Sequence, residues 1–223
     1  MKTHFIHNTI LKSVTLGFMA FLTMSGLAMN TYADEAGDIQ QLQTRWAEIK
    51  YSTPEAQQEK AFAALVSEAQ QLTAANKSAP YLIWEGIIRS TYAGAKGGLG
   101  ALDQVKQAKK LFEQAIKLQP DAMQGSAYTS LGSLYYQVPG WPVGFGDSKK
   151  AKEMLLKGLS YNPDGIDSNY FYGDYLLEEK QYQQAIAAFE KALQAAPRPG
   201  RESADAGRKG EIAAAIAKAK KHL

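Results

Sequence analysis

Residues 166–197 read IDSNYFYGDYLLEEKQYQQAIAAFEKALQAAP, and this stretch decides the fold. Gly173 falls on a first helix, Ala185, Phe189 and Ala192 share one face of a second, and Pro197 stops it. Small residues let two helices approach closely, a Phe fills the space between them, and a Pro cannot continue a helix. The spacing therefore predicts a helical hairpin.

The hairpin recurs upstream. A middle copy places Tyr128, Leu131, Gly132 and Tyr135 on its first helix, with Ala151, Leu155, Gly158 and Pro163 on its second. An earlier copy places Gly86 on one helix and Ala108, Phe112, Ala115 and Pro120 on the other. Repetition of one supersecondary unit at this spacing resembles the tetratricopeptide repeat, whose unit is about 34 residues. The implied architecture is an all-α helical-hairpin solenoid with three repeats over residues 79–197. The distance from the first-helix glycine to the second-helix alanine is 12 residues in the last copy, 19 in the middle and 22 in the first. The two longer spacings predict loop insertions, at Gln137 to Ser148 and at roughly Gly94 to Gly100.

Outside the repeats, Asp38 to Tyr51 and Pro54 to Ala75 have helical periodicity and form a helix pair within residues 34–78. Ala204 to His222, with Ile212 and Ile216 on one stripe, reads as a capping helix within residues 198–223. A stacked array needs such a cap to cover its last apolar face. No segment alternates convincingly enough to be a strand.

Residues 1–33 have the three parts of an export leader: Lys2 and Lys12, an apolar run from Val14 to Met24, and small residues at Thr31-Tyr32-Ala33. That apolar run is shorter than the ~20 residues a spanning helix needs. Cleavage after Ala33 and a periplasmic product without a stable membrane anchor are expected. The chain beyond Ala33 carries 23 Lys and Arg against 22 Asp and Glu. Such a balance gives no electrostatic reason to expect nucleic acid as partner. With no cysteine in the chain, there is no disulfide, and stability must come from packing.

More narrowly, Leu131-Gly132-Ser133-Leu134-Tyr135-Tyr136, Pro139-Gly140-Trp141-Pro142, Gly144-Phe145-Gly146-Asp147 and Asn162-Pro163-Asp164-Gly165 resemble the bacterial TatT-like family, the T-component proteins associated with TRAP transporters. The resemblance implies a helical body that associates with an extracytoplasmic solute-binding protein and passes a small apolar ligand.

The residues point away from catalysis. His4 and His7 leave with the leader and His222 stands at the last turn, so Ser-His and Cys-His arrangements are excluded. No phosphate-loop motif occurs. Only carboxylates remain, namely Asp147, Asp164, Asp167, Asp174, Glu178 and Glu179, and nothing fixes two of them at a working separation. Asp164 to Asn169 lacks the alternation and final Glu of a calcium loop. It reads instead as a turn and a helix cap at Asp167 or Ser168. Neither a cofactor nor a metal is expected. The expected role is binding another periplasmic protein, with a small apolar ligand as the alternative.

Two places could carry that binding. The loop from Pro139 to Asp147 packs Pro139, Trp141, Pro142 and Phe145 among three glycines. On one reading Trp141 and Phe145 fold back on the helices while Asp147 caps the next one; on the other they line a mouth for a partner. In the repeat geometry, first helices line a concave groove. The positions carried over are Pro80, Ile83, Ile87 and Ser90, then Ser126, Thr129, Ser133 and Tyr136, then Asp167, Tyr170, Asp174 and Leu177. Arg198, Arg201, Arg208 and Lys209 read either as a solvated basic edge or as a contact for an anion or acidic partner.

Overall fold

A computed structural model of the chain describes the backbone of residues 15–223 and, Leu99 apart, the side chains from residue 34 onward. The expected leader and its cleavage site lie outside the described side chains. Among the described residues there are nine helices and no strand. They are α1 (Thr15–Ser52), α2 (Glu55–Asn76), α3 (Ala79–Lys96), α4 (Gly98–Leu118), α5 (Ala122–Gln137), α6 (Ser148–Tyr161), α7 (Ile166–Glu178), α8 (Tyr182–Leu193) and α9 (Glu202–Lys220). A first compact unit ends at Asp38, inside α1, and Ile39–Leu223 forms the second. None of the described helices is long and apolar enough to cross a membrane.

The predicted hairpins are α3–α4, α5–α6 and α7–α8, each packed tightly within itself. Their logic is steric. A Cβ built on Gly173 would lie 2.7 Å from the Phe189 ring, one on Gly86 would lie 2.5 Å from the Phe112 ring, and one on Gly132 would lie 2.7 Å from Leu155. Each glycine thus receives the large side chain of its partner helix, and Phe112 and Phe189 are fully buried as a result. Burying such a side chain contributes on the order of 1.5–3 kcal/mol. First helices touch in the order α3–α5–α7–α9, whereas α4, α6 and α8 touch the first helices on either side of them. First helices therefore line the inner side of the curve, and second helices its outside.

Two features differ from the sequence reading. The first insertion, at Gly94 to Gly100, forms no loop: α3 runs to Lys96 and α4 starts at Gly98, so the extra residues lengthen both helices. Positive φ at Gly97 and Gly98 makes the sharp turn possible without additional chain. Helix α7 starts at Ile166, ahead of the expected caps at Asp167 or Ser168. Ser168 Oγ instead donates back to the carbonyls of Asn162 (2.6 Å) and Gly165 (3.1 Å), and Asn169 Nδ2 donates to those of Pro163 and Gly165 (both 2.9 Å). These bonds hold the Pro163 turn against the helix, and the Asp167 side chain is free for another task.

Candidate functional site

The second insertion does form a loop, between α5 and α6, and it is held at its base. Asp147 N–H donates to the Tyr135 carbonyl (2.8 Å), and Gly146 N–H to that of Pro139 (3.0 Å). Any side chain at Gly144 or Gly146 would collide with the backbone at Val138 and Pro139. Asp147 accepts from the amides of Lys149 (3.0 Å) and Lys150 (3.1 Å) and so caps α6. Those backbone bonds, with the Lys150 charge, lower its carboxyl pKa. Phe145 turns inward, its ring edge-on to Tyr135 at 5.9 Å, with the Lys109 ammonium 5.8 Å from its centre. Trp141 turns outward. It is 89% exposed and Val143 is 61% exposed, while Trp141–Pro142 is a cis peptide. The two readings of this loop thus divide by residue, with Phe145 and Asp147 anchoring and Trp141 projecting.

The inner side of the solenoid is not an open groove. In the residues of α1 after Asp38, Ile39, Leu42, Trp46 and Ile49 recur at helical spacing and bury one stripe with Phe62, Leu65, Tyr81, Trp84, Ile88 and Ala204. Trp46 meets Trp84 edge-on at 6.3 Å, and its Nε1 donates to Thr91 Oγ1 (2.9 Å). At the other flank Tyr51 packs on Gly207, and its hydroxyl donates to Glu211 Oε2 (3.3 Å). Lys50 adds an ion pair to Glu211 at 3.6 Å. Helix α1 therefore joins α3 to α9 across the curve.

The expected groove residues are also placed differently from the sequence reading. Thr129 and Ser133 are buried: Thr129 is packed against Gly158 of α6, and the Ser133 hydroxyl donates to the Ser130 carbonyl at 2.8 Å. Neither offers a binding surface. Tyr136 donates to Asp174 Oδ2 at 2.6 Å, tying α5 to α7. Burial and the neighbouring carboxylate push the Tyr136 hydroxyl well up, and burial raises Asp174. Tyr170 lies under the Arg208 guanidinium, 4.2 Å from its ring centre, and burial pushes its hydroxyl up to about 12.

Nor are the arginines before and within α9 a solvated edge. Asp167 Oδ2 accepts from Arg198 (2.7 Å) and Oδ1 from Arg208 (2.9 Å). Arg208 also reaches Glu211 (2.6 Å), and Asp205 accepts from Arg198 Nε (2.8 Å) and its backbone N–H (3.1 Å). Burial by itself would raise the Asp167 pKa; the charges of Arg208 and Arg198 outweigh it and hold the carboxyl at about 2. This lattice fastens the cap to the last repeat.

Among the groove and loop residues named from sequence, Tyr136, Tyr170 and Asp174 come together on the inner side, Thr129 and Ser133 face packing, and Trp141, Phe145 and Asp147 form the outer loop. Sequence reasoning missed Trp84, Tyr51 and Asp205. Trp84 belongs to an apolar helix stripe indistinguishable from core, Tyr51 acquires its partner only when α9 folds against α1, and Asp205 pairs with Arg198 across the turn before α9. Among the described residues, no group of acids and histidines is arranged to hold a metal. Comparison with known proteins agrees with the hairpins: a tetratricopeptide repeat family model matches residues 143–198 and a second matches residues 99–122. The unmatched residues between them hold α5, whose first turn passes through left-handed Met123, Gln124 and Gly125, and the first part of the Trp141 loop. No curated protein matches the chain. The molecule is thus an all-α solenoid carrying tetratricopeptide repeats, an architecture that generally serves protein–protein interaction and is typically non-enzymatic.

Proposed function

We propose that the protein is a periplasmic tetratricopeptide-repeat scaffold that holds another exported protein through the Trp141 loop. The observation that carries this reading is a large indole left 89% exposed on a loop whose base is braced. Rigid aromatic anchors bind with little loss of conformational freedom. The inner surface, where repeat proteins commonly take a ligand, is occupied by α1 and α9.

Stability and binding measured on one variant test the proposal. Trp141→Ala should move the unfolding free energy by less than about 0.5 kcal/mol, because an exposed side chain away from caps and core contributes little. Capture of the partner from periplasmic extract should be lost. A folded Trp141→Ala protein that still captures the same partner would remove the loop from the binding surface.

Export itself is tested by the mass of the product. Expression in a bacterial host should give a periplasmic protein beginning at Asp34, and a soluble cytoplasmic product retaining Met1 would overturn the assignment. The TatT-like resemblance supports a second reading, carriage of a small apolar ligand with a TRAP-type solute-binding protein. An open hollow of about 410 Å³ between α6, α7 and α8, lined by Leu159, Tyr172, Leu176 and Ala188, and another of about 550 Å³ between α2, α3 and α4 are candidate sites for it. A ligand-sized adduct in native mass spectra of the same preparation would favour that reading.

A further inference from the structure

Among the described residues, two buried side-chain polar atoms have no hydrogen-bond partner, and they are neighbours. They are Nε1 of Trp84 and Nε of Arg201, and the Arg201 guanidinium lies 5.1 Å from the centre of the Trp84 rings. Both are donors. A buried donor left unpaired costs about 1–3 kcal/mol, so two side by side would gain from a shared acceptor.

The charges around them are mixed. Lys50, Arg198 and Arg208 pair with Asp167, Asp205 and Glu211, and Arg201 stands beside Glu202 within reach of the fields of Asp167 and Asp205. Arg198 and Arg208 bridge those carboxylates, whereas Arg201 takes none of them. Burial, with the positive charge of Arg198 next, lowers the Arg201 pKa against the opposing pull of Asp167 and Asp205. The adjacent acid, Glu202, accepts from the Gly200 N–H at 3.0 Å. Arg201 is also the N-cap of α9; no side chain caps that helix start, although Glu202 and Asp205 lie in its first turn.

We propose that Arg201, the Trp84 indole N–H and the first turn of α9 form a binding site for a small oxyanion, a carboxylate or a phosphate. The ring of Trp84 supports the guanidinium face-on, and its 3% exposure keeps the indole N–H out of competition with bulk water. An oxyanion there supplies acceptors to both donors. The site stands between α3 and α9, apart from the Trp141 loop, and its test is independent of the partner's identity.

The chain has three tryptophans, so ¹⁵N-labelled protein gives three indole N–H signals, assignable with single Trp→Phe variants. Sodium acetate and sodium phosphate are titrated separately, each against sodium chloride at equal ionic strength. The Trp84 signal should shift and saturate with at least one oxyanion while the Trp141 signal stays in place. Saturation with acetate alone assigns a carboxylate, and with phosphate alone a phosphate group. Arg201→Gln should weaken the response by about tenfold or more, as expected for loss of a charge-assisted bond, and Arg201→Lys should retain part of it. A Trp84 signal unmoved by both anions, or shifted equally by chloride, overturns the site even if Arg201→Gln proves unstable. An Arg201→Gln protein that titrates like the wild type overturns it as well.

Discussion

Phe189→Ala should destabilise the protein by about 3–5 kcal/mol, the range for removing a fully buried aromatic side chain. Phe189 is 0% exposed, and its ring fills the space left by the missing side chain of Gly173, with Tyr170 at 5.9 Å on another side. Relaxation into the hole is limited, because Ala185 and Ala192 on the same stripe of α8 are already in contact with the core. Urea unfolding followed by circular dichroism measures the loss. A change below about 1 kcal/mol would mean that Phe189 does not hold α7 to α8 and that the repeat frame is misplaced.

Asp167→Asn should cost about 2–3 kcal/mol at neutral pH. The substitution removes the one carboxylate shared by Arg198 and Arg208, of which Arg208 is only 10% exposed. Asp167 keeps 34% of its side-chain surface exposed, which places the cost below that of a fully buried pair. The pH dependence has a definite sign. The folded-state pKa of about 2 lies below the ordinary 3.8, so the stabilisation is present above about pH 4 and is lost as pH falls towards 2. After discounting for solvent screening, that loss is about 1–2 kcal/mol. The stability gap between wild type and Asp167→Asn should therefore narrow across this interval. A constant gap from pH 6 to pH 2 would show that Asp167 acts by packing and not by charge.

The hairpins were legible because their signals are local. Glycine, alanine and phenylalanine at fixed offsets report a close approach of two helices whatever lies elsewhere, and Gly86, Gly132 and Gly173 each receive the residue the spacing assigns them. The first insertion was misread as a loop because its glycines, Gly94 to Gly100, signal a turn without saying how much chain the turn consumes. The inner side was misread for a different reason. Thr129 and Ser133 are polar residues at positions that usually face a ligand, and their burial depends on how neighbouring helices are rotated. Likewise, the roles of Tyr51, Arg201 and Arg208 arise between residues on different helices: Tyr51 meets Glu211, Arg201 lies over Trp84 and Arg208 reaches Asp167. No periodicity within a single helix encodes those meetings.

Contact between α1 and α9 alters how the array comes apart. In an open row of repeats each unit is held only by its neighbours, so the two ends fray first and melting spreads inward. Here the Tyr51–Glu211 and Lys50–Glu211 contacts couple the two ends directly. Loosening either end exposes apolar surface at both, which makes partial opening costly relative to global unfolding. The row should therefore behave as a loop in the thermodynamic sense: amides of α9 are expected to exchange with solvent almost as slowly as those in α5, and the helices of Ile39–Leu223 to be lost in one transition.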